Sequence, residues 1–435
     1  MAASGNITLY AQDSSQQTTP VKWDLQTCLN YAAKNNYALN TLRLSEKTAE
    51  QSLLLSKSAV LPDLSANMAH SYTHSRNTNP VVGGFQTQGN FASNYGISSS
   101  WIFYNGGYLK EDIRQKNLQV QSASLSIVQE ENDIILQVTQ GYLNILLAKE
   151  NIVYEKDLLQ TSEAQLKQGQ QQFDAGSIAR KDLVELQAQL ATDKYNLVVG
   201  QSEERQNILT LKQLLLLPSE FALDVAEPDT LIARAVVPSL GEVQKAALAT
   251  RPEIKFTELG VQIAQLDVAK ARALYWPIAS IGTALATGFS DNQSNAYLEQ
   301  LDNNFYQQIG LNLSIPIFTK RATKTNVEKT KIEVEQAELN LKNTKIVLSQ
   351  TVEQAYINVL NAQGQYDASV DQLKATQEAY RISTEQLKVG AVNTVDLLLQ
   401  KNLYVQALQN YTRAKYSAAL NIRIYDFYSG VPIKF

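Results

Sequence analysis

Residues 305–317 read Phe-Tyr-Gln-Gln-Ile-Gly-Leu-Asn-Leu-Ser-Ile-Pro-Ile. In an extended chain Phe305, Gln307, Ile309, Leu311, Leu313, Ile315 and Ile317 share one face, and Tyr306, Gln308, Gly310, Asn312, Ser314 and Pro316 the other. Period two marks a β-strand. One apolar face and one small or polar face over about 9–13 residues is what a strand between lipid and water requires. The pattern returns in 279–290, where Ile281, Thr283, Leu285, Thr287 and Phe289 oppose Ser280, Gly282, Ala284, Ala286, Gly288 and Ser290. It returns again in 91–103, where Phe91, Tyr95, Ile97, Trp101 and Phe103 share a face. A strand over about 63–76 alternates less clearly.

Aromatic residues gather at the helix-proximal ends of these strands: Trp101, Phe103, Tyr104 and Tyr108 in one half, Tyr275, Trp276 and Phe318 in the other. Such a cluster suits the interfacial girdle of a membrane barrel. The connections 77–90 and 291–304 are polar loops rich in Gly, Asn and Gln. A small soluble sheet packed on helices fits the same pattern. Four strands cannot close a membrane barrel alone, because about eight is the smallest. If these strands meet lipid, several copies must pool them, and twelve from three copies is an allowed size.

The strands recur because the chain is duplicated. A shift of 215 places Leu25 on Leu240, Ala32 on Ala247, Pro62 on Pro277 and Phe103 on Phe318. A shift of 214 places Tyr142-Leu143-Asn144 on Tyr356-Ile357-Asn358, Gly176 on Gly390, and Asp182-Leu183 on Asp396-Leu397. One single-residue indel reconciles the two. A self-similarity of this kind decides the architecture before any local reading.

The expected organisation is an extended tail over 1–22, a first repeat over 23–212, a Pro-punctuated linker over 213–237, a second repeat over 238–427 and a tail over 428–435. Each repeat reads as helix, two strands, very long helix, tight turn and return helix. The first helices span 24–61 and 240–276, stopped by Pro62 and Pro277. The long helices span 107–172 and 322–389, and the return helices 178–212 and 393–427. About 65 residues of helix reach roughly 100 Å. The rods carry a heptad row, Val138, Ile145, Ile152, Leu159, Leu166 and Phe173, matched by Val352, Val359, Tyr366, Leu373, Tyr380 and Leu387. Upstream, Ile113, Val120, Ile127 and Ile134 form another row, with a four-residue stutter before Val138. Period seven implies left-handed winding about neighbours, and the stutter unwinds it locally. A second row on the later rod, Ile332, Leu339 and Ile346, lies beside Val327, Val334, Leu341 and Leu348. Neighbours on two sides, as in a cylinder of helices, would use both rows. On the helices alone, a plain antiparallel coiled coil fits as well.

Composition narrows the functions. The 435 residues hold 42 acidic and 38 basic side chains, for a net charge of −4. That balance argues against a nucleic-acid-coating protein. Two histidines and one cysteine exclude an intrachain disulfide and argue against a multi-ligand zinc or iron–sulfur centre. No apolar run reaches the length of a membrane helix, a test that a β-barrel escapes. The start, Met1-Ala2-Ala3-Ser4-Gly5, has no basic region and no apolar run after it, so no intact signal peptide is expected. Leu25-Gln26-Thr27-Cys28 looks superficially like a lipoprotein cleavage box but lacks the preceding apolar run. Cys28 is expected to be an ordinary helix-face residue.

The layout resembles the TolC-type outer-membrane factors of tripartite efflux pumps and type I secretion systems, over residues 23–427. It rests on the duplicated helix–Pro–strand–loop–strand–long-helix order. It rests also on Phe173-Asp174-Ala175-Gly176 followed by Asp182-Leu183, and on Leu387-Lys388-Val389-Gly390 followed by Asp396-Leu397. The resemblance implies an α+β membrane protein and a homotrimer. Its twelve-stranded outer-membrane β-barrel, four strands per protomer, would continue into a periplasmic α-helical barrel. The linker and C-terminal tail would form an equatorial belt. The chain would be a passive exit duct without chemistry or cofactor. It would be served by a periplasmic adaptor and an inner-membrane transporter of the proton-driven RND or the ATP-driven ABC type. The competing reading is a soluble structural coiled-coil oligomer.

Gly176 and Gly390 fall where the chain must reverse between helices, a place that favours positive φ. The resemblance puts these turns, with Phe173 and Leu387, at the periplasmic tip where adaptors dock. Asp182 and Asp396 open the return helices, where a carboxylate also suits the helix dipole. By the resemblance, Asp396 lines the narrowest part of the closed tunnel, where three copies would form a cation-attracting ring, and Asp182, its counterpart in the first repeat, is the second residue expected at this gate. The second carboxylate that relatives often carry one turn later is Leu399 here. The Arg and Tyr that lock the tip in well-known members correspond to Val392 and Leu387, so the closing contacts must differ. Arg180, Lys181 and Glu185 are substitutes to consider. No phosphate loop, nucleophile elbow or metalloprotease motif is present. His70 and His74 share a strand face about 13 Å apart, too far to chelate jointly.

Overall fold

A computed structural model of the chain describes residues 21–78, 83–228, 231–431 and residue 433. Most of the expected tail over 1–22 lies outside the described residues. The order is β1 (Val21–Trp23), α1 (Leu25–Asn35), α2 (Tyr37–Ser58), β2 (Ser65–Thr78), β3 (Phe85–Tyr104), α3 (Tyr108–Asp174), α4 (Arg180–Leu215) and β4 (Leu223–Val225). The second half follows as α5 (Leu240–Thr250), α6 (Pro252–Ala273), β5 (Ile278–Ser290), α7 (Tyr297–Asn303), β6 (Tyr306–Ser314), α8 (Ala322–Lys388) and α9 (Thr394–Tyr428). The rods α3 and α8 are 67 residues each. None of the described helices is long and apolar enough to cross a membrane.

Two expectations about the helices need correction. The helix over 24–61 is two helices, broken at Asn36, whose ψ is 130°. The helix over 240–276 is likewise two, broken at Arg251 with ψ 134°. These are equivalent positions in the repeat, and chemistry accounts for both. Pro252 drives the residue before it out of the α region and then occupies the first position of α6. Asn36 has no proline after it; its side chain instead accepts the Leu39 N–H at 3.2 Å and starts α2.

The chain divides into two compact units. One comprises residues 42–126 and 252–344. Its centre is a four-stranded antiparallel sheet in the order β2-β3-β5-β6. The register pairs Tyr72 with Phe91, Ile97 with Leu285, Trp101 with Ile281, and Ile281 with Leu311, so most of the large apolar residues of the four strands share one face. Strand bounds differ from expectation. β2 and β3 run into the loop expected over 77–90, and β6 stops at Ser314, short of 317. Pro316 has no N–H to offer a ladder. The loop expected over 291–304 contains α7. Gln300 anchors it from a buried position: its Oε1 accepts the Ser290 N–H at 2.9 Å, and its Nε2 donates to the Asn295 carbonyl at 2.8 Å. At the helical side of this unit, Lys270 of α6 donates to Asp112 at 2.8 Å and to Gln115 at 2.7 Å, and Ser56 of α2 donates to Asp112 at 2.6 Å.

The other unit comprises the described residues of 21–41, 127–251 and 345–433. Its core gathers Leu25, Leu29, Ile134, Val138, Tyr142, Ile145, Leu211 and Leu215 around the two-stranded parallel pair β1-β4. The linker expected over 213–237 therefore contributes a strand, and Lys149 of α3 pairs with Asp224 beside it. Cys28 is fully buried in this core, and burial pushes its thiol up to about 12, with Asp24 adding to the rise. Lipid attachment at Cys28 is incompatible with that packing.

Candidate functional site

The two turns that reverse the chain between long and return helices are built alike. Gly176 has φ +74° and Gly390 φ +71°. The Gly176 N–H donates to the Phe173 carbonyl at 2.9 Å, and the Ser177 N–H to the Gln172 carbonyl at 2.8 Å. In the second turn the Gly390 N–H donates to Leu387 at 3.1 Å and the Ala391 N–H to Gln386 at 2.9 Å. This is a Schellman closure at both ends, and it needs a left-handed residue. Phe173 and Leu387 thus serve the turn through their carbonyls, and both side chains are half-buried. Val389 beside the second turn is 79% exposed.

The return helices begin differently. In α4 the N-cap is Ala179, which has no capping side chain, and the Asp182 carboxylate accepts the Ala179 N–H at 3.2 Å. In α9 the N-cap is Asn393, whose Oδ1 accepts the Asp396 N–H at 2.9 Å. The Asp396 carboxylate is exposed and takes no hydrogen bond from the described residues. Asp182 is committed to its own helix, and Asp396 faces outward from its own. Lys181 and Glu185, one turn apart on α4, pair at 3.6 Å. Arg180 is exposed.

Further up the same unit lies a group that sequence reasoning missed. Lys401 of α9 is fully buried, and its Nζ donates to Asp193 of α4 at 2.6 Å and to Ser162 of α3. Ser162 donates to the same Asp193 carboxylate, and Gln189 donates to its other oxygen at 2.9 Å. The signal was present: Leu186, Asp193 and Gly200 are spaced by seven, so a charge occupies a core position of that row. Glu155 of α3 packs against Gly200, where a Cβ would collide with its carboxylate. Glu155, Glu203 of α4 and Arg413 of α9 line a pocket of about 330 Å³. Burial, then the Glu203 charge, raises the Glu155 carboxyl from 4.5 to about 7.

The aromatic residues expected at the strand ends sit on the other unit. Trp101 Nε1 donates to the Val60 carbonyl at 2.9 Å, and its ring lies 5.9 Å from Phe103. Trp276 and Phe318 are 58% and 83% exposed. A second aromatic band, not anticipated, occupies the far end of the same face: Tyr72, Phe91, Phe289 and Tyr297, with Phe289 and Tyr297 5.0 Å apart. His70 shares a 2.8 Å hydrogen bond with Ser93 and stacks on Phe91. No group of three or more metal-ligating side chains occurs among the described residues.

Duplicated hairpins, two Schellman turns and a sheet greasy on one side define this chain, and comparison with known proteins gives the same picture. The outer membrane efflux protein family matches residues 28–215 and 243–422. The chain belongs to that family. It is similar to the outer membrane efflux protein BepC of Brucella suis, 24% identical over 373 residues that cover 85% of this chain and 77% of that one. It is also similar to the outer membrane protein TolC of Vibrio cholerae, 22% identical over 417 residues covering 92% and 89%. Among solved structures, the CmeC outer membrane channel of Campylobacter jejuni superposes with a TM-score of 0.81 at 19% identity, over 94% of this chain and 86% of that one. The chain is an outer-membrane efflux-type channel protein reaching into the periplasm, not an enzyme. Nothing in these comparisons supports a soluble coiled-coil oligomer.

Proposed function

We propose that three copies of the chain close a twelve-stranded barrel and a helical tunnel, and that the tube is the exit duct of a tripartite efflux pump or type I secretion system. One observation carries the reading. A single chain leaves the apolar face of its sheet bare, with Met68 68%, Tyr72 69%, Ile309 79% and Leu311 72% exposed. It also leaves β2 and β6 as unpaired edges. An open edge and a bare apolar face of this size belong in lipid and beside another strand. On α8, Val327 and Leu348 are buried within the chain while Ile332, Leu339 and Ile346 remain exposed, leaving an apolar row for a neighbouring protomer.

In this duct the Gly176 and Gly390 turns form the tip that meets a periplasmic adaptor, and an inner-membrane transporter of the RND or ABC type supplies the energy. Three Asp396 carboxylates ring the constriction and favour cations. The test is extraction followed by conductance. The natively produced chain stays with the membrane until detergent releases it, runs at three times the chain mass, and opens water-filled pores in planar bilayers. A chain that is soluble without detergent, or particles without threefold stoichiometry, would overturn the reading.

A further inference from the structure

The four strands of the sheet carry a single Lys, Arg, Asp or Glu between them, and it is Arg76. Its position is specific. Ladder register places Arg76 on the same face as Tyr72, Phe91 and Trp101, the face that would meet lipid. From Trp101 to Phe91 is ten residues, about 33 Å along a strand, or about 25 Å of height at a tilt near 40°. That is the height of the apolar band, and the two aromatic groups mark its borders. Arg76 lies four residues beyond Tyr72 on the far side, another ~13 Å along the strand. His74 lies between them on the same face. Both side chains are exposed. Charge is thus excluded from the strands within the band, and the strands supply it once, as a cation, just outside the distal border, where headgroups begin.

The local chemistry fits an external anion. The Arg76 guanidinium lies over the Phe85 ring, 4.7 Å from its centroid. Stacking holds the guanidinium flat and leaves its N–H edge open to a partner. No acidic residue occurs anywhere between Asp63 and Glu111, so the hairpin that carries Arg76 supplies no counterion. In the neighbouring hairpin, the Asp291 carboxylate is used by the Phe91 N–H at 2.8 Å and Glu299 by Asn295 at 2.7 Å, while Asp302 is exposed on α7, which follows β5, two strands away from the β2 that carries Arg76. A planar, permanently charged fork with an open edge pairs with phosphate in a two-point contact.

We propose that Arg76, with His74 as a second donor, binds the phosphate of an outer-leaflet lipid whose acyl chains lie on the apolar band. The inference rests on the lipid-facing reading of the sheet, and it adds a specific headgroup contact to it. Continuity with the band selects a lipid rather than a free anion: a lipid gains from both the charge and the apolar surface, inorganic phosphate from the charge alone.

The experiment uses the full chain purified in detergent. Native mass spectrometry follows its titration with diphosphoryl lipid A, with monophosphoryl lipid A and with inorganic phosphate. The expected result is retention of diphosphoryl lipid A that weakens about tenfold in Arg76→Gln. Arg76→Lys falls between the two, because a point charge replaces the fork. Millimolar inorganic phosphate leaves the lipid bound. Equal retention by wild type and Arg76→Gln overturns the proposal, as does displacement by inorganic phosphate, which would make this a free-anion site. Planar-bilayer conductance of the same preparations keeps the two readings apart. Pores from both proteins with equal lipid retention sink the phosphate contact alone. Absence of pores from wild type sinks the barrel reading, whatever the lipid result.

Discussion

The α3–α4 hairpin and the α8–α9 hairpin descend from one sequence and turn with the same backbone, yet they bury different chemistry. The first holds Glu155 against Gly200 and Asp193 in a core row. The equivalent positions of the second are Ser369, Ala414 and Ala407, small and buried. The second hairpin contributes one buried charge, Lys401, whose counterpart in the first is the exposed Gln187. Duplication therefore preserved the turns, which depend on backbone geometry, and diversified the interior, where a charge is tolerated only with a partner. The lesson is that pseudo-symmetry here holds at the ends of the hairpins and fails in their shared core.

The largest expected effect breaks that core. Lys401→Met leaves Asp193 buried without its cation and should cost about 3–5 kcal/mol. The double variant Lys401→Met/Asp193→Leu removes both charges and should recover most of the loss, because an apolar pair of similar size often replaces a buried ion pair at little cost. Denaturation of the purified chain, followed by helical circular dichroism, measures both. If the double variant is as unstable as the single, Ser162 and Gln189 matter more than the charges.

The turns should instead behave identically. Gly176→Val and Gly390→Val each force a β-branched residue into positive φ, at about 1–2 kcal/mol. A Cβ at either position meets nothing within 4 Å, so conformation alone sets the cost. The same denaturation assay compares them. A difference greater than about 1 kcal/mol would mean that one turn is constrained by contacts the other lacks.

Glu155 gives the first hairpin a titration that its counterpart in the second, Ser369, cannot supply. Its folded-state carboxyl is raised to about 7 from 4.5. A raised acid is favourable while protonated, so stability should fall as pH rises from about 4.5 through 7 and level off above. Glu155→Gln removes the titration. The variant should match wild type near pH 4 and exceed it at pH 8 by about 1 kcal/mol; the full linkage value is discounted because the residue is only half-buried. Equal pH profiles for the two proteins would show that the carboxylate finds water or a cation in the pocket beside Arg413.

Much of this is legible in the sequence. Period-two runs such as 305–317 and the period-seven rows on the rods are local patterns, and local patterns survive in sequence. The break before Pro252 was equally visible and overlooked, while its partner at Asn36 has no proline to announce it. The β1-β4 pairing was not legible: two three-residue strands about 200 positions apart carry no periodicity. The second aromatic band was hidden for a related reason. Tyr72, Phe91 and Phe289 are scattered along the chain, and only the ladder register assembles them on one rim. Lys401 and Asp193 could have been found as charges on apolar rows, but which charge meets which is set by three helices packing together.

The smallest effect in energy is the sharpest test of the comparison where the return helices begin. Asp182 and Asp396 occupy the same position in the two repeats. The Asp182 carboxylate accepts the Ala179 N–H and substitutes for a missing cap, so Asp182→Ala should cost about 0.5–1 kcal/mol and leave ion selectivity unchanged. Asn393 already caps α9, so Asp396→Ala should change stability by less than about 0.5 kcal/mol. Its effect belongs elsewhere: in the proposed trimer, three exposed carboxylates would disappear from the constriction at once, so reversal potentials across a salt gradient should shift toward lower cation preference. Asn393→Ala separates the two roles, weakening the helix start while keeping the carboxylate, and should leave the reversal potential where it was. If Asp182→Ala rather than Asp396→Ala moved the reversal potential, the first hairpin would line the narrowest point, and the assignment of the two acids would have to be exchanged.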